Sequence, residues 1–390
     1  MKIAILTSGI IPVPAVQGGA VENLVDYYLA YNDLHQKHEM TIYSVWHPGV
    51  ENHPALKSSV NHYVFLKTNT LKAKYLKKLL HFLQRKHEYY DYTIEYYLHE
   101  VIKIIRKQHF DCIIIENRPA FALKLKKITE AKLVYHLHND ILNCQTSHAQ
   151  EIYNAASRII TVSDYIKSRV QTINLQDDKT ITVHNGINLD AFSPKKGISR
   201  DKLGINADDF VLVFSGRIAI EKGISEILEA MELLKDYHSI KLLVLGSAFY
   251  AAESKDGFAK NQRLKAEQMK GKIVFTGFIP YSDMPNYLQI ADVAVIPSVW
   301  DDPFPTSVLE AQSMGLPIIA TRRGGIPEEV SQDNAILLNI DSHFVENLAA
   351  TILNLYNNPA KRQAMSQASL SRANLFSKEA FAEEFHNSIL

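Results

Sequence analysis

Short apolar runs alternate with longer amphipathic stretches along the whole chain. A short apolar run is typical of a buried strand and a longer amphipathic stretch of a crossover helix, so the alternation predicts parallel sheets flanked by helices. We therefore expect an α/β fold of two doubly wound domains, joined near residues 188–207, where Pro194, Gly197 and Gly204 cluster. The predicted strands cover residues 3–6, 41–45, 112–116, 133–137, 159–162, 181–183, 211–214, 241–245, 273–275, 293–296, 317–320 and 335–338.

Composition narrows the class of protein. The 390 residues suit two domains of under about 200 residues each, and the formal net charge of zero provides no overall field to recruit nucleic acid. Cys112 and Cys144 offer neither a disulfide framework nor metal-ligand spacing, so a reducing cytosol is expected. The apolar run after Lys2 resembles a secretory signal, but Pro12 and Pro14 interrupt it and favour a first strand. No run of 18 apolar residues predicts a membrane span.

Residues 296–320, IPSVWDDPFPTSVLEAQSMGLPIIA, place two carboxylates around one strand-to-helix turn. Asp302 lies in the loop, Thr306 and Ser307 can cap the helix, and Glu310 lies on that helix. Amides at a helix N-terminus suit phosphate, and carboxylates accept hydrogen bonds from ribose and hexose hydroxyls. The turn therefore predicts a sugar-nucleotide site, and the alternative is an ordinary strand–loop–helix unit with solvated acids.

A second strand-to-helix turn carries two cations. Residues 211–223 read VLVFSGRIAIEKG, in which Gly216 allows close backbone approach and Arg217 and Lys222 can converge on one anion. Two cations facing a pyrophosphate would neutralise the charge that grows when a nucleoside diphosphate leaves. Either residue alone would more often be a solvated surface cation.

Two glycine pairs follow predicted strands. Gly18 and Gly19 precede a helix that begins near Val21, where backbone amides can approach a phosphate or an acceptor hydroxyl. Gly324 and Gly325 form a second loop-to-helix turn, for which a simple tight turn is the alternative.

These motifs together resemble those of the retaining glycosyltransferases of family 4. The elements that carry the resemblance are GR-x-x-x-EKG at 216–223, the acid-to-Glu element at 302–310, VHNGIN at 183–188 and the glycine loop at 18–19. It covers nearly the whole chain and is strongest from Val183 to Val330. Asp302 stands where the family usually has Glu, and Pro303 and Pro305 stand where Gly is usual. The resemblance implies the GT-B fold, two doubly wound Rossmann-like domains facing across a cleft.

The resemblance also implies roles for single residues. In the segment YHLHND at 135–140, His138 would lie near the transferred sugar, with Asn139 as the alternative. Phe278 and Ile279, which leave a strand, would provide the backbone edge that reads the base. No cofactor and no metal are expected, because no DxD-type motif is placed to carry Mg²⁺. Metal binding by His136 and His138 is possible, but their spacing shows no third ligand.

The implied domain division is residues 1–190 for the acceptor side and 191–376 for the nucleotide-sugar side. The last helix, 377–390, has apolar residues at helical spacing, and GT-B proteins commonly return this helix to the first domain. The alternative is a plain terminal helix of the second domain.

The expected activity is transfer of a hexose or N-acetylhexosamine from a nucleotide-sugar to a cell-surface glycan or lipid-linked acceptor. We expect the donor to be UDP-linked and, from the resemblance, the anomeric configuration to be retained. No carboxylate nucleophile is obvious in the first domain, which favours front-side attack. Two alternatives stay open: a UDP-sugar 2-epimerase-like enzyme and a noncatalytic sugar-nucleotide-binding partner.

The segment 67–86 carries seven basic residues and no acid. Its leucines at 76, 79, 80 and 83 predict a helix with one apolar face and one basic face. One interpretation is a core-facing helix with a solvated basic side. The other is attachment to an anionic membrane surface, which would make the protein cytoplasmic and peripheral on the inner membrane face.

Overall fold

The computed structural model describes residues 1–83, 92–194, 197–246, 257–269 and 271–389. The chain forms two compact units. The first unit comprises Met1–Gly186 with Lys378–Leu390, and the second comprises Ile187–Ser377. The sequence analysis predicted that the first domain ends at residue 190, four residues after Gly186, where the first segment of the first unit ends.

The first unit is built on parallel strands. They are β1 (Lys2–Leu6), β2 (Glu39–Val45), β3 (Asn61–Leu66), β4 (Cys112–Glu116), β5 (Lys132–Leu137), β6 (Arg158–Thr161) and β7 (Thr180–Thr182). Within the described residues they form one seven-stranded sheet in the order β3-β2-β1-β4-β5-β6-β7. The central strands β1 and β4 are almost completely buried, as is usual for parallel strands covered on both faces.

The helices of the first unit connect these strands. They are α1 (Ala20–His35), α2 (Leu71–Leu83), α3 (Tyr92–Ile105), α4 (Ala122–Leu125), α5 (Ala149–Ala155) and α6 (Asp164–Gln171). Local chemistry explains several of their ends. The side chain of Ser163 caps α6 by accepting a hydrogen bond from the amide of Ile166 at 3.2 Å, and α1 ends at Gln36 in the left-handed conformation.

The second unit repeats the plan. Its strands are β8 (Phe210–Ser215), β9 (Ile240–Leu245), β10 (Ile273–Gly277), β11 (Val293–Ile296), β12 (Ile318–Thr321) and β13 (Ala335–Leu338). In the part of the chain that the structure describes, they form a six-stranded parallel sheet in the order β10-β9-β8-β11-β12-β13. Its helices are α7 (Ile224–Leu233), α8 (Gly257–Glu267), α9 (Met284–Leu288), α10 (Thr306–Ser313), α11 (Ile326–Glu329), α12 (Phe344–Asn357) and α13 (Pro359–Ala373).

The final helix, α14 (Lys378–Ser388), belongs to the first unit and packs on α1. Phe381, Ala382 and Phe385 are buried in the same core as β1 and β4. Phe385 stacks on Tyr28 of α1 with ring centroids 4.2 Å apart. The last residue of the expected helix, Leu390, lies outside the described residues. Short 3-10 helices cover Pro48–Val50, Pro54–Lys57, Pro119–Phe121, Arg200–Leu203, Ile220–Lys222, Tyr281–Asp283 and Asn374–Phe376.

The α/β class and the doubly wound sheets predicted from sequence are confirmed. Each predicted strand corresponds to a strand of the structure with ends within two residues. The sequence missed β3, NHYVFL, which lies at the edge of its sheet. An edge strand is paired on one side and here is only partly buried, so its sequence lacks a continuous apolar run.

The basic segment forms α2, but its faces differ from the prediction. Ala73 is buried and Leu76 and Leu80 are half-buried, whereas Leu79 is 43% exposed and therefore does not belong to the packed face. Packing against α3 selects the face. Arg85 and Lys86, and the side chain of Leu83, lie outside the described residues. Among the helices the structure describes, none has the length and hydropathy to cross a membrane.

Candidate functional site

In the second unit, an ion pair joins the two strand-to-helix turns singled out in the sequence. Strands β8 and β11 are neighbours in the parallel sheet, so the segments that follow them leave the same edge. The Lys222 ammonium there donates to the Asp302 carboxylate, and Ser298 Oγ donates to the same Asp302 oxygen at 3.3 Å. Asp302 is 4% exposed, so the carboxylate is held between a cation and a hydroxyl in a largely water-free position.

Arg217 has a different partner. Its guanidinium lies 3.1 Å from Glu221, and its side chain is 45% exposed. The two cations that the sequence predicted to converge on one anion are therefore each paired with a separate carboxylate in this structure.

Two glycines allow the loops at this edge to approach closely. Gly223 has φ +73°, and a Cβ there would overlap the carbonyl oxygen of Pro297. Gly324 has φ +53°, and a Cβ there would overlap the backbone of Asp302. The amide of Gly325 donates to the Asp302 carbonyl at 2.8 Å, so the glycine turn after β12 fixes the loop that carries Asp302. Gly216, with φ +152°, has open space where a side chain would be.

Glu310 lies inside α10 and is buried. Burial raises its pKa to about 7, although hydrogen bonds with Thr306 and Tyr281 act in the opposite direction. The prediction that Thr306 and Ser307 cap this helix is wrong. Pro305 is the N-cap residue, and Thr306 is in the first turn, where its side chain hydrogen-bonds Glu310 one turn later.

Glu329, at the end of α11, was missed by sequence reasoning. Its carboxyl is fully buried, and neither oxygen has a hydrogen-bond partner within the described residues. Burial, and then the charge of Asp302, raise its pKa well above the ordinary value, while Lys222 opposes the shift. The only signal in the sequence was its position five residues after Gly324, in a turn whose alternative was a simple loop.

Phe278 and Ile279 directly follow β10. Phe278 is 44% exposed and Ile279 is 9% exposed. Their backbone is thus at the carboxyl edge of the sheet, as expected for a segment that contacts a ligand there.

In the first unit, a buried carboxylate joins both histidines of the YHLHND segment. Glu116 ends β4 and pairs in register with His136 of β5. Its Oε2 lies 3.0 Å from His136 Nδ1 and 2.9 Å from His138 Nε2, and its Oε1 accepts from the Tyr28 hydroxyl at 2.9 Å. Glu116 and His136 are 0% exposed and His138 is 6% exposed.

The surroundings set the ionisation of this group. Burial raises the pKa of Glu116, but the charges and hydrogen bonds of His136 and His138 outweigh it and bring the pKa to about 2. Burial, reinforced by His136, lowers the pKa of His138 to about 4 against the opposing effect of Glu116. At neutral pH the carboxylate is therefore ionised and the His138 ring is neutral.

Glu116 is also the third potential metal ligand that spacing did not reveal. Among the described residues, Glu116, His136 and His138 are the group whose ligand atoms lie close enough to hold an ion, within 4.8 Å of one another. The nitrogen–oxygen distances of 2.9 and 3.0 Å are those of hydrogen bonds. In the sequence, Glu116 ends the predicted strand that precedes the strand with His136 and His138. That position indicates a third ligand only if these two strands, β4 and β5, are neighbours in the sheet.

The glycine pair of the first unit lies at the start of α1. Gly19 is the N-cap residue with φ +111°, and Gly18 has φ +76° with open space where a Cβ would be. Close to them, Ser8 Oγ donates to Glu22 at 3.3 Å, and burial raises the pKa of Glu22 to about 7. Asn139 follows His138 and is half-buried.

Two doubly wound parallel units, one with a buried imidazole–carboxylate group and the other with a lysine–carboxylate pair between glycine turns, are the architecture expected of a GT-B glycosyltransferase. The family model of glycosyl transferases group 1 matches residues 195–372, and that of glycosyltransferase family 4 matches residues 32–191. The chain belongs to this family of glycosyltransferases, and the resemblance seen in the sequence is confirmed.

Similar proteins span most of the chain. YtcC of Bacillus subtilis (strain 168) is 29% identical over 88% of this chain and 80% of its own length. Spore coat protein SA of the same organism is 25% identical over 96% of this chain and 94% of its own length. The crystal structure of Anabaena HepE in complex with UDP and glucose superposes with a TM-score of 0.74, at 18% identity, over 100% of this chain and 99% of that one.

Proposed function

We propose that this glycosyltransferase moves a hexose or N-acetylhexosamine from a UDP-linked donor to a cell-surface glycan or lipid-linked acceptor, with retention of anomeric configuration. The observation that carries the proposal is the Lys222–Asp302 pair between the glycine turns of the second unit. An ammonium suits the charge on a departing diphosphate, and a buried carboxylate accepts hydrogen bonds from sugar hydroxyls.

The other residues at this edge have complementary roles. Arg217 would add a second cation for the diphosphate, and Glu310 would accept hydrogen bonds from the ribose hydroxyls. Thr306 and Ser307 offer first-turn amides and hydroxyls, and the backbone at Phe278 and Ile279 would read the base. The choice of UDP is supported by Anabaena HepE, a protein of similar fold whose crystal structure contains UDP.

The first unit supports a front-side route. A double-displacement mechanism needs a carboxylate that is free to attack the anomeric carbon. The buried Glu116 carboxylate is held by Tyr28, His136 and His138, which makes it a poor nucleophile. We therefore assign His138 to contact with the transferred sugar. Lys222 and Arg217 would assist the departure of the diphosphate. Gly18 and Gly19 would give the acceptor backbone access.

The test is a panel of UDP-, GDP-, ADP- and dTDP-sugars, scored by thermal shift and then by turnover. A ligand at 100 times its dissociation constant stabilises the folded state by about 2.7 kcal/mol, so the true donor should separate clearly from the others. We expect a UDP-sugar to give the largest shift, and turnover to need an acceptor and to persist in EDTA. Stabilisation by another nucleotide, epimerisation without an acceptor, or loss of turnover in EDTA would each contradict the corresponding part of the proposal.

We also propose that α2 docks the first unit on an anionic membrane surface on the cytoplasmic side. Large apolar side chains spaced along α2 are exposed: Leu71 by 86%, Tyr75 by 71%, Leu79 by 43% and Phe82 by 67%. We call these four residues the apolar stripe. Their spacing of three to four residues places them on one side of the helix, where they can enter the lipid interface.

The lysines beside the apolar stripe give it charge complementarity to anionic lipid. Lys72, Lys74 and Lys78 are exposed, and each basic residue near such a surface contributes about 1 kcal/mol. Lys67 and Lys77 differ, because they lie over the rings of Trp46 and Tyr96 at 4.7 and 6.0 Å.

Cosedimentation with phosphatidylglycerol vesicles tests the docking. We expect the triple variant Lys72→Gln, Lys74→Gln and Lys78→Gln to be released, while transfer to a soluble acceptor analogue is kept. The control removes the same charge from exposed lysines of the second unit, with Lys235→Gln, Lys265→Gln and Lys361→Gln. Equal binding of the two triple variants would show that the α2 lysines are only a solvated face.

A further inference from the structure

The buried group around Glu116 restricts which nitrogen of His138 carries a proton. Glu116 Oε2 lies 2.9 Å from His138 Nε2. An ionised carboxylate can only accept, so the hydrogen of the neutral ring is on Nε2. The other nitrogen, Nδ1, is buried and has no hydrogen-bond partner within the described residues. A hydrogen on Nδ1 would be a buried donor without an acceptor, which is costly.

The backbone around His138 is fixed as well. Asn117 follows Glu116 and adopts a left-handed conformation with φ +52°. In this conformation its side chain accepts from the His138 amide at 3.1 Å, and its own amide donates to the His136 carbonyl at 2.8 Å. The side chain of Glu116 thus holds the ring of His138, and the side chain of Asn117 holds its main chain.

We propose that Glu116 is the positioning residue of His138: it fixes the Nε2–H tautomer, so that Nδ1 is an acceptor for a hydroxyl of the sugar that is transferred. The identity of that hydroxyl donor rests on the proposed function, whereas the tautomer rests on the hydrogen bonds alone. Tyr28 supports the arrangement by donating to the second carboxylate oxygen, which prevents the carboxylate from turning away.

The tautomer has a chemical consequence. Positive charge develops on the sugar ring in the transition state of glycosyl transfer. A neutral imidazole backed by an ionised carboxylate presents negative potential to that charge, whereas an imidazolium would oppose it. A sugar hydroxyl donating to Nδ1 would also satisfy the ring nitrogen of His138 that has no hydrogen-bond partner within the described residues.

Nitrogen NMR on protein labelled with the heavy isotope at histidine tests the tautomer directly. At pH 7 we expect His138 to show a protonated Nε2 and an unprotonated Nδ1, assigned by comparison with His138→Asn. A protonated Nδ1 would overturn the proposal, as would one zinc ion per chain in the purified protein. Neither readout requires turnover, so a failure of the proposed donor leaves this test intact.

The variant Glu116→Gln tests the positioning role. The amide can present either an acceptor or a donor to the ring, so we expect both tautomers to be populated. The kcat/KM for donor sugar should fall at least about tenfold while the Kd for UDP changes by less than about twofold. A native tautomer with native kcat/KM would overturn the proposal.

Two further variants complete the design. Glu95→Gln is the matched control, since Glu95 is a buried acid of the same unit that pairs with Lys124, and we expect it to leave the His138 tautomer unchanged. If Glu116→Gln does not fold, Glu116→Asp keeps the charge but shortens the reach. It should lower kcat/KM at least about threefold, and an unchanged value would overturn the positioning role.

Discussion

We expect the chemistry of the second unit to depend most directly on Lys222, because its ammonium is paired with a buried carboxylate at the edge of the sheet. We expect Lys222→Ala and Arg217→Ala each to lower turnover at least about a hundredfold, roughly 2.7 kcal/mol of barrier, by removing charge that stabilises the departing diphosphate. Steady-state turnover of the donor measures the effect.

The matched control for these variants is Lys265→Ala, which removes an exposed lysine of α8 that pairs with Glu229. It should leave turnover within about twofold of the native rate, because a surface pair contributes little to stability. Near-native turnover of both Lys222→Ala and Arg217→Ala would show that the diphosphate is bound elsewhere.

Substitutions of Asp302 and Glu310 should have different effects on ligand binding. Glu310→Gln should weaken UDP binding, whereas Asp302→Asn should alter sugar choice more than nucleotide affinity. Because burial raises the pKa of Glu310 to about 7, its acceptor form increases as pH rises. UDP affinity should therefore increase from pH 6 to pH 8 in the native protein and be flatter in Glu310→Gln. Calorimetric titration measures both effects, and equal losses of UDP affinity in the two variants would contradict the division.

At the scale of secondary-structure elements, α14 stabilises the first unit by filling its core. Phe385 is 0% exposed, stacks on Tyr28 and lies 4.9 Å from the His136 ring. We expect Phe385→Ala to lower the free energy of unfolding of the first unit by about 3–5 kcal/mol, the usual cost of truncating a buried aromatic residue. Urea denaturation followed by circular dichroism measures it.

The control lies on the same helix. Glu384 is exposed, so Glu384→Ala should change the free energy of unfolding by no more than about 0.5 kcal/mol. Equal effects of the two substitutions would mean that α14 does not contribute through burial of Phe385.

At the scale of the whole molecule, the two units should respond differently to pH. In the second unit, burial raises the pKa of Glu310 to about 7 and raises the pKa of Glu329 well above its ordinary value. Between pH 4.5 and 7 the folded unit therefore binds more protons than the unfolded chain, so these groups make it less stable as pH rises.

The first unit contains groups whose pKa values are shifted in opposite directions, with opposite effects on its stability. Burial raises the pKa of Glu22 and Asp26 to about 7, whereas burial lowers the pKa of His38, His138 and His386 to about 4. The histidines contribute stability above pH 6.5 that is lost as pH falls toward 4, which opposes the gain from the acids over the same range.

The two tryptophans report on the units separately, since Trp46 lies in the first and Trp300 in the second. In Trp46→Phe, the urea midpoint followed by Trp300 fluorescence should rise as pH falls from 7 to 5. In Trp300→Phe, the midpoint followed by Trp46 should change less over that range. A midpoint for the second unit that falls from pH 7 to 5 would contradict the assignment of its buried acids.

With the exception of β3, local sequence alone determined the strands of the described residues and the residues that follow them. Apolar runs such as those of β4 and β11 are visible without any knowledge of the fold, because burial on both faces of a parallel sheet requires them. Because ligands of parallel sheets bind at the carboxyl ends of the strands, Lys222, Asp302 and His138, which follow or end predicted strands, could be predicted to lie at a ligand edge.

The tertiary structure decided which of these residues meet. Glu116 reaches the histidines because β4 lies beside β5, and Lys222 pairs with Asp302 rather than sharing an anion with Arg217 because β8 lies beside β11. The exposure of Leu79 on α2 was likewise decided by packing. Local patterns record that a side chain is apolar or charged, but strand order and helix packing set its neighbours, and these contacts join residues far apart in the chain.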